Sequence, residues 1–194
     1  MIFSFTYLLQ ENQKVPMKLP QKALVLAYGD SITYGYNADQ NQSYPAVLSR
    51  KTGLRVINAG VPGEDSTHGL ERLGSFLKKN PSLVILCHGA NDILHQKSQK
   101  VLKENLLKMV KMAQNAGAQV LLVGVPAFTP LNLKVLPLYK DVAEETGCIY
   151  EGEVITHIEQ TEALKSDLVH PNAQGYALMA EKFIEVLRTN GIIN

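Results

Sequence analysis

Ser31, Asp167 and His170 are the residues whose types and spacing could do chemistry together. A serine hydroxyl is a weak nucleophile by itself. It needs a base to take its proton, a carboxylate to orient that base, and donors for the charge that develops on the substrate oxygen. Asp167 and His170 stand three residues apart in Ser166-Asp-Leu-Val-His-Pro-Asn172, just ahead of a helix. One tight turn over that spacing brings the carboxylate to the imidazole Nδ1 proton. It fixes the tautomer and leaves Nε2 to receive the proton of Ser31.

Such a serine has to be presented by an element that fixes it. Residues 23–29 form an apolar run ending at Gly29, as a buried parallel strand does, and Ser31 sits at the apex of the turn between Gly29 and Gly35. Strands are expected again at 54–58, 83–87, 119–125 and 147–150. Helices are expected at 43–53, 66–79, 100–116, up to 145, at 154–160 and at 172–189. Ser43, Pro45 and Gly53 punctuate the first of these helices, and Asn172 is placed to cap the last. The proline-punctuated segment 126–137 reads as a loop. Strands alternating with helices imply parallel crossovers, hence an α/β fold. We expect a flavodoxin-like three-layer α/β/α sandwich on a central five-stranded parallel sheet, too few units for a barrel. The loops after the strands then share one rim, where Ser31, Gly63 and Asn91 can converge.

At 194 residues the chain is long enough for one domain, expected over 22–194, with 1–21 as an N-terminal extension. Residues 1–9 are apolar but too few for a membrane span, and they lack a basic start and a cleavage site. A cytoplasmic protein without stable membrane insertion is expected. A degenerate export signal, or a start at Met17, stays open. With 19 basic and 18 acidic residues the net charge is +1, which argues against nucleic acid as a partner. Cys87 and Cys148 border apolar runs and read as reduced core thiols. His68, His88, His95 and His157 share no metal-ligand spacing, so neither metal nor cofactor is expected.

Four blocks, Gly29-Asp-Ser-Ile, Asn58-Ala-Gly-Val-Pro-Gly63, Gly89-Ala-Asn-Asp92 and Asp167-Leu-Val-His170, occur in the order and approximate spacing of the GDSL, or SGNH, hydrolase family. The chain resembles its bacterial lysophospholipase, thioesterase I and arylesterase group, especially in Val56-Ile-Asn-Ala-Gly-Val-Pro-Gly63 and His170-Pro-Asn172. The resemblance implies a metal-independent serine esterase acting on small-molecule carboxylic esters or thioesters through an acyl-serine. It implies Ser31 as nucleophile, His170 as base and Asp167 as orienter. The oxyanion hole would be the Ser31 N–H, the Gly63 N–H and the Asn91 side-chain amide. Isoleucine follows Ser31 where leucine is commoner, and His88-Gly-Ala-Asn replaces the more usual glycine pair. Thr33, two residues past the serine, separates this turn from the α/β-hydrolase elbow.

Tyr34, His88 and Phe128 are expected to bind substrate, with Tyr34, Tyr36, His68 and His88 on the wall opposite Phe128. The 126–137 loop, through Phe128, Leu131 and Leu133, either lines an acyl groove or packs under the last helix. Plainer roles stand beside these: Ser31 as a helix cap, Asn91-Asp92 as a turn and cap pair, Asp30 and Asp92 in capping or loop hydrogen bonds. A carbohydrate O-acetylesterase uses the same parts with a more polar cleft. A flavodoxin-like binding protein would cradle phosphate in the 29–35 turn, but leaves Asp167 and His170 without a task. The sequence is silent on oligomeric state.

Overall fold

A computed structural model describes residues 17–128 and 133–194. The apolar start at 1–9 and Leu131 lie outside the described residues. Five parallel strands, β1 (Leu24–Gly29), β2 (Arg55–Gly60), β3 (Leu83–Cys87), β4 (Gln119–Val123) and β5 (Ile149–Glu151), form one sheet in the order β2-β1-β3-β4-β5. Every residue of β3 is buried, as expected of a strand covered by helices on both faces. β2, at the edge, is only partly buried.

The helices are α1 (Ser31–Tyr34), α2 (Tyr44–Thr52), α3 (Ser66–Leu77), α4 (Ala90–Leu94), α5 (Gln99–Asn115), α6 (Pro137–Thr146), α7 (Val154–Glu159) and α8 (Ala173–Thr189). α2 packs on α8, and α5 packs on both α3 and α6, which gives the sheet its two helical layers. Asp65 caps α3 by accepting from Thr67 and His68 N–H at 3.0 and 3.1 Å. Asn172 caps α8 through Gln174 and Gly175 N–H. Residues 17–21, expected to lie outside the domain, are tied to it where Leu19 N–H donates to the Ile192 carbonyl at 2.8 Å.

Several elements differ from the sequence reading. α1 and α4 are single helical turns where loops were expected, and such short turns carry no repeating apolar pattern to betray them. β2 also runs on to Gly60, beyond the apolar part of its segment. Among the described residues no helix is long and apolar enough to cross a membrane.

The chain leaves β1 for β2 on one side and then crosses to β3 on the other. The crevice outside the strand ends at this reversal is where open α/β sheets take ligands. The strand ends are packed backbone to backbone there. A Cβ on Gly29 would lie 1.9 Å from the Cys87 carbonyl oxygen, and one on Gly60 would lie 2.1 Å from the Tyr34 nitrogen. Only glycine lets β1 meet the end of β3, and β2 meet α1, this closely.

Candidate active site

Ser31 is the first residue of α1, which Asp30 caps by accepting from Ile32 N–H at 3.1 Å. The cap is therefore Asp30 rather than Ser31, and the serine side chain is left to face the crevice. Burial pushes the Asp30 carboxyl up, against the favourable charge of His88 and the hydrogen bond from Ile32. Ser31 Oγ lies 2.9 Å from His170 Nε2. On the other edge of the ring, His170 Nδ1 lies 2.8 Å from Asp167 Oδ2 and 3.0 Å from Oδ1. Residues 139 apart in sequence thus form one continuous hydrogen-bonded line.

The Asp167 carboxylate is over-determined. Its Oδ1 accepts from the N–H groups of Val169 and His170 at 2.9 and 2.8 Å, and its Oδ2 accepts from Asn37 Nδ2 at 2.9 Å. Partial burial disfavours its charged form, but the hydrogen bonds from Val169 and His170 outweigh that and hold the carboxyl below its ordinary range. Tyr36 covers the imidazole, with ring centroids 4.8 Å apart.

Gly63 follows β2 with φ 78°, a left-handed backbone, and Asn91 follows β3 inside α4. Asn91 Nδ2 donates to the Glu64 carbonyl at 2.9 Å, which fixes the amide and leaves its second N–H uncommitted to that bond. The neighbouring Asp92 accepts from Ser66 N–H and Ser66 Oγ, both at 2.7 Å. Adjacent side chains of α4 therefore clamp the loop that carries Gly63. Asp92 is a cross-loop tie rather than a cap of its own helix.

Ser31, Gly63, Asn91, Asp167 and His170 all line one open groove of about 530 Å³. Its other walls are mostly apolar and include Tyr36, Pro62, Leu94, Phe128 and Val169. Phe128 holds a left-handed φ of 50°, unusual for a bulky residue, and faces the groove as expected.

Tyr34 and His88 are placed differently from the sequence expectation. Tyr34 lines a separate depression beside β2, with Asn58, Gly60 and Arg50, rather than the groove that holds Ser31. His88 is fully buried, with Nε2 3.2 Å from Glu64 Oε2, and so lies beneath the rim. His68 extends into solvent from α3 and bonds to Asp65, outside the groove. Leu133 is not among the described residues that line the groove.

The sequence reading missed three contributors. Asn37 reaches Asp167 from a left-handed φ of 61°, which asparagine tolerates better than most residues, but nothing in its neighbours marks it out. Glu64 and Arg72 form a nearly buried ion pair beneath the groove, and a charged residue on the inner side of α3 was the available sign. Cys87 and Cys148 are free, and burial pushes both thiols up, so neither resembles a reactive thiolate.

Comparison with known proteins agrees with this geometry. Residues 27–178 match the GDSL-like lipase/acylhydrolase family. The chain is 31% identical over 170 residues to thioesterase 1/protease 1/lysophospholipase L1 of Escherichia coli K12, covering 81% of this chain and 79% of that protein. It is 36% identical over 107 residues to esterase TesA of Pseudomonas aeruginosa, a match spanning 52% of this chain and about half, 53%, of that relative. Among solved structures, the psychrotrophic esterase EstA from Pseudoalteromonas sp. superposes with a TM-score of 0.75 at 25% identity, covering 86% of this chain and 97% of that one.

Proposed function

The chain belongs to the GDSL-like lipase/acylhydrolase family and is a serine ester hydrolase; on that premise we propose that Ser31 is its nucleophile, His170 its base and Asp167 the orienter of that base. The observation that carries this reading is the 2.9 Å contact from Ser31 Oγ to His170 Nε2, continued at 2.8 Å from Nδ1 to Asp167.

In the first half-reaction Ser31 Oγ attacks the carbonyl carbon while its proton passes to His170 Nε2. The carbonyl oxygen becomes an oxyanion facing the Ser31 and Gly63 N–H groups and the Asn91 amide. Ser31 stands at the first helical position, where a backbone N–H has no intrahelical acceptor, so that donor is free for the task. Collapse expels the alcohol or thiol, which takes the proton from His170 and leaves an acyl-serine. Water then attacks the acyl carbon, gives its proton to His170, and the acid departs as Ser31 Oγ recovers a proton. Asp167, held ionised by its three hydrogen-bond donors, favours the imidazolium that appears twice in this cycle.

The apolar walls of the groove favour an acyl chain over a sugar ring, and we assign Phe128 and Leu94 to its sides. Intact-mass analysis after treatment with a small fluorophosphonate tests the whole reading. One adduct is expected on the wild type and none on Ser31→Ala. A folded wild type that takes no adduct, or a variant that still takes one, would refute it.

A further inference from the structure

Arg72 reaches from α3 back to the carboxyl ends of the sheet, touches the segments that carry two donors of the hole and meets the third through Glu64. Its Nη2 lies 3.2 Å from the Gly29 carbonyl oxygen, two residues before Ser31, and 2.8 Å from that of Ala59, four residues before Gly63. Nε and Nη2 together grip the Glu64 carboxylate at 2.6 and 2.5 Å, and the Glu64 carbonyl in turn holds the Asn91 amide. The guanidinium lies 4.2 Å over the Tyr28 ring, while fully buried His88 closes on Glu64 from the other side. Gly69 makes room for that imidazole, since a Cβ there would stand 2.3 Å from His88 Nε2.

We propose that Arg72 is the positioning residue of the oxyanion hole, tying the end of β1, the end of β2 and Glu64 into one register and so setting the spacing of the three donors. The inference rests on reading Ser31, Gly63 and Asn91 as that hole. Arg72 touches no reacting atom and acts through the backbone it holds. The task suits arginine because a rigid planar fork can grip a carboxylate bidentately and still reach two carbonyls. A lysine ammonium carries the same charge from one point and cannot span them. Donors act on the oxyanion only within a narrow range of distance, so a small splaying of the strand ends is felt in the transition state more than in substrate binding.

Two variants test this. Arg72→Lys keeps the charge and loses the fork. The double variant Arg72→Met/Glu64→Met replaces the ion pair by apolar bulk, a change that often leaves stability intact. For each, kcat and KM are measured on p-nitrophenyl butyrate. Inhibition is measured with phenylboronic acid, which becomes tetrahedral on a serine oxygen, and with butyrate, which stays trigonal.

The expected result is a fall in kcat of about 10- to 100-fold, the scale of a donor misplaced by roughly an ångström. Boronate affinity should weaken in step, while KM and butyrate affinity stay within about twofold of wild type. Wild-type kcat in either variant would overturn the proposal. So would a loss of kcat with boronate binding unchanged, or an equal weakening of boronate and butyrate. A wild type that is itself inactive and blind to the boronate would remove the hole, and this proposal with it.

Discussion

At the scale of single residues, the proposed mechanism divides the site into groups that meet the substrate and groups that hold them. Asn91 meets it, and Asn91→Ala is expected to lower kcat by roughly 10²–10³ with the fold retained, the loss typical of one oxyanion donor. Steady-state kinetics beside a circular dichroism spectrum check this, and unchanged turnover would take Asn91 out of the mechanism. Asn37 only holds. It supplies one donor among several to an exposed carboxylate, so Asn37→Ala should cost about three- to tenfold in kcat, the range of an ordinary net hydrogen bond. A wild-type rate in that variant would reduce Asn37 to loop structure. The difference between the two also explains what the sequence disclosed. Ser31, Asn91, Asp167 and His170 were legible because their chemistry demands those residue types in blocks. Asn37 and Arg72 were not, because they work through backbone positions that only the folded chain brings near. Tyr34 and His88 were misplaced for a related reason: being next to a catalytic block in sequence does not decide which side of a one-turn helix or strand end a side chain takes.

Among the elements, α7 carries the clearest dependence on pH. Burial drives the pKa of Glu159, its last residue, up to about 7, only partly offset by Lys165 and reinforced by Asp167 and Glu162. Its Oε1 is buried without a partner among the described residues. A carboxyl that binds its proton more tightly in the folded than in the unfolded chain favours folding while it is protonated. That advantage drains away as pH rises from the ordinary glutamate value of 4.5 to about 7. Thermal melts between about pH 5 and about pH 8 should therefore show the wild type losing stability across this interval, while Glu159→Gln holds steadier and is the more stable protein at the alkaline end. Parallel curves for the two would show that the carboxyl is not the cause. The elements themselves were read well where a core repeats a pattern. The buried run of β3 and the caps at Asn172 and Gly53 announce themselves. The single turn α1 packs instead where strand ends approach closely around Gly29 and Gly60, a tertiary constraint with no local signature.

For the molecule as a whole, the sheet order gathers loops from the ends of four strands and the segment before α8 around one groove, and the make-up of its walls sets preference. Phe128→Ala should lower kcat/KM on longer acyl esters while leaving acetyl esters nearly untouched, by about 1–3 kcal/mol of lost apolar contact at most. Rates along a homologous ester series check it, and an equal loss on every chain length would mean that Phe128 supports the loop and not the acyl chain. The order of the parts along the chain has a further consequence. Ser31, Gly63 and Asn91 all precede β4, whereas Asp167 and His170 come after β5, and α8 beyond them packs back onto α2. On the proposed roles, a growing polypeptide therefore possesses its nucleophile and its anion cradle well before its base, and the hydroxyl has no group to take its proton until the segment ahead of α8 has been made.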